Sequence, residues 1–185
     1  MMREELASWL YGAKRVIVVG VGSPIRSDDA VGTVIVGGLR GKVPENVKLL
    51  VCETSPENYI TTIRRGRPTH VLIIDAADMR SSPGSSRIVD PKETSGSMIS
   101  THTLPLKLFS DYIEQVTGAS VRLLAIQPES VALGKGLTDA LGKAASENTR
   151  IIVDVLNAIF RRTTHKPSPS AHRHRPIDRL PHRKT

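Results

Sequence analysis

A short aliphatic run, Val16 to Val19, stops at glycines, and the chain then passes through GVGSPIRSDDAVG (20–32) into a second apolar stretch with helical spacing. This arrangement restricts the fold more than any other part of the sequence. A continuous aliphatic run bounded by glycines reads as a strand buried on both faces. Gly20 and Gly22 permit a sharp turn, and Pro24 rules out continued strand pairing. The helix expected from Ala30 to about Leu39 then starts close to the carboxyl end of that strand. In open α/β sheets this edge is where ligands bind. Two adjacent carboxylates, Asp28 and Asp29, stand at the junction. One reading makes them helix-start residues, a cap and a first-turn anion; the other makes them part of a site.

The remainder alternates in the same way. Strands are expected at Arg15 to Gly20, Val47 to Cys52, Val71 to Asp75, Arg87 to Val89 and Val121 to Ile126. Helices are expected at Glu4 to Tyr11, Ala30 to Leu39, Pro56 to Arg64, Pro105 to Val116 and Leu137 to Phe160. Alternation of this kind predicts an α/β fold: a three-layer α/β/α sandwich around a mostly parallel, twisted sheet of about five strands. A length of 185 residues suits one such domain.

Several strands end in residues better suited to chemistry than to packing. The third runs into DAADM, with Asp75 at its expected end and Asp78 three residues on. Asp75 either ties down its own loop through backbone amides or shares a site with the Asp28–Asp29 turn. The small, polar segment SGSMISTHT (95–103) contains His102, the only histidine in the second half of the folded body; the other body histidine is His70. Carboxylates and an imidazole together make a donor set for a borderline metal. The only cysteine, Cys52, follows the run Leu49 to Val51 and is expected to be a buried apolar residue rather than a nucleophile.

The formal charge of +8 invites a nucleic-acid reading, but the charge is not spread over the chain. Arg161, Arg162, Lys166, Arg173, Arg175, Arg179, Arg183 and Lys184 face only Asp178, so all but one unit of the excess lies after Phe160. With four prolines and few large apolar residues, residues 163–185 are expected to be a disordered basic tail on a domain spanning 1–162. The tail histidines are irregularly spaced and lack accompanying cysteines or acids, which leaves the tail a solvated appendage rather than a metal site. Few aromatics are available for base stacking, so nucleic acid is not an expected partner. No run is long enough to cross a bilayer and the first residues do not form a signal-peptide pattern, so a cytoplasmic protein without membrane insertion is expected. A dinucleotide site is disfavoured too: Ile25 occupies the third glycine position of the fingerprint, and two carboxylates would repel a pyrophosphate.

The same residues carry a family resemblance. The turn at 20–32 is similar to the G-x-G-N-x-x-x-x-D-D/E-G-x-G signature of the hydrogenase maturation proteases, the endopeptidases that trim the C-terminus of the nickel-iron hydrogenase large subunit. SPEN (55–58), RPTHVLIIDAADM (67–79), PGSSRIVDP (83–91), STHTLPL (100–106) and LLAIQPES (123–130) resemble that family's successive blocks in order, over about residues 14–160. The resemblance implies that Asp29, Asp75 and His102 contact nickel, or a substitute metal, that arrives already seated in the large-subunit precursor. It implies an aspartic-type, metal-dependent endopeptidase, expected to be a monomer, with Asp28 a further candidate for general base. The sequence departs from the signature at Ser23, where asparagine is usual, and at Ala30, where glycine is usual. It also lacks the Asp-Gly-Gly that some members carry near Cys52 and Glu53. A metallochaperone that uses the same three residues without hydrolysis is the alternative from another class.

Overall fold

The computed structural model describes residues 2–93, 99–100 and 106–164. Its sheet runs in the order β2 (Val47–Glu53), β1 (Val16–Val21), β3 (His70–Asp78), β6 (Ser120–Ile126), β4 (Ser86–Val89). The first four are parallel and β4 joins β6 antiparallel, as a mixed edge. The expected three-layer, mostly parallel α/β architecture is therefore the observed one. β1 is buried at every position, as the aliphatic run requires of a central strand.

Two cores cover the two faces. Val16, Val18, Leu72, Ile74, Leu124 and Ile126 pack under α1 (Met2–Trp9), α2 (Val31–Leu39) and α5 (Asp139–Thr164). Ile17, Val19, Val71, Ile73, Val121 and Leu123 pack under α3 (Ile60–Gly66) and α4 (Leu106–Thr117), with Phe109 and Ile113 as the large α4 contributions. The strict alternation of adjacent strand residues between these cores follows from the two-residue repeat of a strand. Each fully buried Val, Leu or Ile contributes about 1.5–3 kcal/mol relative to exposure.

α2 is a poor helix by composition, VGTVIVGGL, since each interior glycine costs about 1 kcal/mol against alanine. Its position explains the choice at Gly32. A Cβ there would stand 2.2 Å from the Ile74 carbonyl oxygen and 2.3 Å from that of Val21. Only a glycine lets the helix press onto the β1 and β3 backbones.

The structure moves some expected boundaries. β3 does not stop at Asp75 but continues to Asp78, because β6 accompanies it to Ala76 and a two-residue strand, β5 (Ile99–Ser100), pairs antiparallel with Ala77 and Asp78. β5 was not expected; two residues in a small polar segment carry no periodic signal. Pro56 opens a 3-10 turn, Pro56–Tyr59, before α3 rather than one continuous helix. α5 begins at Asp139, after a cap at Thr138, and runs past Phe160 to Thr164. The rest of the basic tail set off at residue 163 lies outside the described residues.

Candidate functional site

β2 and β3 lie on opposite sides of β1, so the winding reverses between β1 and β3. The carboxyl ends of these two strands form the topological switch point, the crevice where open α/β sheets take ligands. Both Asp29 and Asp75 belong to it. Asp75 is 0% exposed and lies one residue beyond the last β1–β3 pair, Gly20 with Ile74. By alternation with Ile73 and Ala77 it faces the α3–α4 side of the sheet. Asp29 is 2% exposed in the 3-10 turn Ser27–Ala30, which packs against β3.

The turn after β1 is shaped to deliver Asp29 there. Gly22 has φ +141°, and a Cβ on it would lie 1.8 Å from the Asp29 carbonyl oxygen. The Ser23 N–H donates to Asp29 Oδ2 at 2.8 Å, and the Asp29 N–H donates to the Arg26 carbonyl at 2.9 Å. Two departures from the family signature are thereby explained. Position 23 serves Asp29 through its backbone, so serine suffices. Ala30, at φ −73°, sits in ordinary right-handed helical geometry that needs no glycine.

Asp28 is a different kind of residue from its neighbour. It is 0% exposed and accepts four hydrogen bonds. Oδ2 takes them from the Glu129 N–H (2.9 Å), the Ser130 N–H (3.0 Å) and the Thr138 hydroxyl (3.0 Å); Oδ1 takes one from the Thr138 N–H (2.7 Å). Its own N–H donates to the Ser130 carbonyl at 3.1 Å. Neither acid caps its own helix, contrary to the local reading, since no side-chain cap bond is present at the 3-10 turn or at α2. Asp28 instead fixes both ends of the loop between β6 and α5 through donors about a hundred residues away. With its oxygens so engaged, it is poorly placed to act as a general base.

Other expected residues sort cleanly. Asp78 ties down its own loop: its Oδ1 accepts the Arg80 N–H at 3.0 Å and the Gln127 amide at 3.3 Å, and these donors hold its carboxyl below the usual range. Cys52 is buried, and burial first, with nearby Glu57 second, pushes its thiol up to about 12. His70 is edge-on to Trp9 at the amino end of β3, away from the crevice. His102 lies outside the described residues. β5 ends at Ser100, two residues before it in sequence, and Ser100 pairs with Ala77, two residues past Asp75. Among the described residues no three His, Cys, Asp or Glu side chains are gathered to hold a metal, which leaves Asp29 and Asp75 as the described candidate donors.

Gln127 and Thr138 were missed as individual residues. Gln127 Oε1 accepts the Met79 N–H at 2.7 Å and the Ser81 N–H at 3.3 Å, tying down the loop that follows β3. The only sequence signal for Gln127 was its place directly after β6, and for Thr138 its place before a helix.

A doubly wound sheet with two buried aspartates at its switch point defines a class of α/β protein with an acidic crevice. Comparison with known proteins narrows the class. The family model HycI, hydrogenase maturation protease, matches residues 38–156. Hydrogenase 3 maturation protease of Escherichia coli K12 is 33% identical over 129 residues, covering 69% of this chain and 82% of that one. The crystal structure of the NiFe hydrogenase maturation protease HycI from Thermococcus kodakarensis KOD1 superposes with a TM-score of 0.78 at 30% identity, covering 83% of this chain and 99% of that one. The hydrogenase maturating endopeptidase HybD from E. coli superposes at 0.65 with 25% identity, over 80% and 93%. The chain belongs to the hydrogenase maturation protease family.

Proposed function

We propose that this protein is the endopeptidase that removes the C-terminal extension of a nickel-iron hydrogenase large-subunit precursor after nickel has been inserted. The observation that supports it most directly is the pair of buried carboxylates, Asp29 and Asp75, at the β1–β3 switch point. With His102 from the segment after β5 they make a set of oxygen and nitrogen donors suited to a borderline divalent ion. The nickel is part of the substrate in this reading, and Asp29, Asp75 and His102 hold it, so that only a loaded precursor is seated. A divalent metal so held can polarise a peptide carbonyl or acidify a bound water.

The protein's own contribution is position and proton transfer. The Ser23 N–H orients the Asp29 carboxylate, and the β-sheet register fixes Asp75. Because Asp28 is saturated by Glu129, Ser130 and Thr138, the carboxylates left to receive a proton from an attacking water are Asp29 and Asp75. A thiol mechanism is not supported, since Cys52 is buried and held protonated. No described helix is long and apolar enough to cross a membrane, and we take the enzyme to work as a cytoplasmic monomer.

The test is to mix the purified protein with nickel-loaded and nickel-free precursor and follow precursor length. Shortening of the loaded form alone is expected. Shortening of both would remove the nickel checkpoint, and shortening of neither would favour a metal-binding role without hydrolysis.

A further inference from the structure

The loop that Asp28 secures does more than cover the core. Gly134 N–H donates to the Ile25 carbonyl and Ser27 N–H to the Gly134 carbonyl, each at 3.0 Å, forming an isolated parallel bridge between Arg26 and Gly134. Parallel pairing sets Ile25 alongside Leu133, the residues that precede the bridged pair. Both are exposed, at 59% and 77%. Large aliphatic side chains exposed singly are ordinary; these two hold neighbouring register positions of one bridge. Arg26 and Lys135 lie in the same two segments, both exposed and neither in an ion pair among the described residues. The surface is also rigid, because Asp28 holds the second loop at Glu129, Ser130 and Thr138 while its own segment carries the first. It is continuous with the crevice: the Arg26 carbonyl accepts the Asp29 N–H.

We propose that these paired loops are a docking surface for the polypeptide substrate, taking a segment in which an aliphatic side chain stands next to a carboxylate. Ile25 and Leu133 bury the aliphatic group, and Arg26 and Lys135 meet the charge. Preorganisation by Asp28 spares the entropy of ordering two loops on binding. The proposal rests on the endopeptidase reading, deepens it by naming where substrate is held outside the acidic crevice, and is separable from it because binding is measured apart from cleavage.

The experiment compares the full-length protein with Ile25→Ser/Leu133→Ser, Arg26→Ser/Lys135→Ser, and Tyr11→Ser as a control for an exposed apolar residue at the opposite sheet edge. Precursor binding is measured by interferometry and cleavage by steady-state kinetics, with thermal midpoints as a check on folding. The aliphatic double variant is expected to weaken binding and raise KM roughly tenfold, with kcat held within about twofold. The cationic double variant should slow association at low salt, an effect that vanishes at high salt. Tyr11→Ser should change nothing. Unchanged binding in the aliphatic variant overturns the proposal, whether or not the wild type cleaves. A loss confined to kcat also overturns it, by showing that the loops act only through the Asp29 turn. A wild-type dimer that the aliphatic variant abolishes would assign the surface to a second copy of this chain instead.

Discussion

Asp28 and Asp29 are neighbours in sequence, both buried and chemically identical, yet they are tied to different parts of the chain. Asp28 accepts four hydrogen bonds from the segment 129–138, about a hundred residues away. Asp29 Oδ2 accepts the Ser23 N–H from its own turn. A single 3-10 turn thus carries two consecutive carboxylates into different hydrogen-bonding surroundings, one tied to a distant loop and one to its own turn. Polar groups buried with all their partners stabilise.

The strongest way to break this comparison is by activity. Asp29→Asn and Asp75→Asn keep shape and one acceptor oxygen while removing the charge. Each, like His102→Ala, should reduce precursor cleavage by more than about a hundredfold, beyond the loss typical of residues that only support ligands. Stability should stay within about 1 kcal/mol, or roughly 2–4 °C in Tm. Full cleavage by either asparagine variant would remove that aspartate from the site.

Asp28→Ala should invert the pattern. It strands three backbone donors and a hydroxyl at the start of α5 and in the preceding loop, which should cost about 3 kcal/mol in urea or thermal unfolding. An unchanged midpoint with lost cleavage would make Asp28 chemical and erase the distinction. Thr138→Val removes one of the four bonds and keeps the backbone donor, so its cost should be about 1 kcal/mol.

A smaller effect sharpens the comparison from the neighbouring strand. Cys52, next to the last residue of β2, is the one thiol that could rival the acids. With its pKa at about 12, only about one part in 10⁴ is thiolate at pH 8. Alkylation of the folded protein should be far slower than in denaturant, and Cys52→Ser should cleave at the wild-type rate. Rapid labelling of the native thiol, with matching loss of cleavage, would contradict the acidic site.

Much of this was legible in the sequence because it is local. The Val16–Val19 run, its glycines and the alternation of strands and helices dictate a parallel sheet, and they direct attention to Asp29 and Asp75, although β3 runs on past Asp75 to Asp78. What was not legible depends on distant pairing. Asp28 and Asp29 look alike until the Glu129–Thr138 loop is in place, and nothing near Asp28 encodes donors more than a hundred residues away. Gln127 is unreadable for the same reason, since its task is defined by the loop at Met79–Ser81. β5 escaped because its two residues owe their conformation to the free edge of β3 rather than to any pattern of their own.

The smallest expected effect concerns charge remote from both acids. Most of the formal +8 lies after Phe160, and a chain ending at Thr164 keeps α5 (Asp139–Thr164) and the core residues Ile152, Val155, Leu156 and Phe160 that it buries. Deleting residues 165–185 should therefore leave Tm almost unchanged. A basic segment with few large apolar residues acts through long-range attraction, which accelerates encounter with an acidic surface and is screened over roughly 10 Å at 0.1 M salt. Cleavage by the truncated protein should match the full-length enzyme at high salt and lag modestly at low salt. The same salt series on Ile25→Ser/Leu133→Ser, whose deficit involves no charge and should persist at high salt, separates steering by the tail from contact at the docking loops. A deficit that persists at high salt would place the missing residues in a specific contact, and a fall in Tm would show that they pack on the domain.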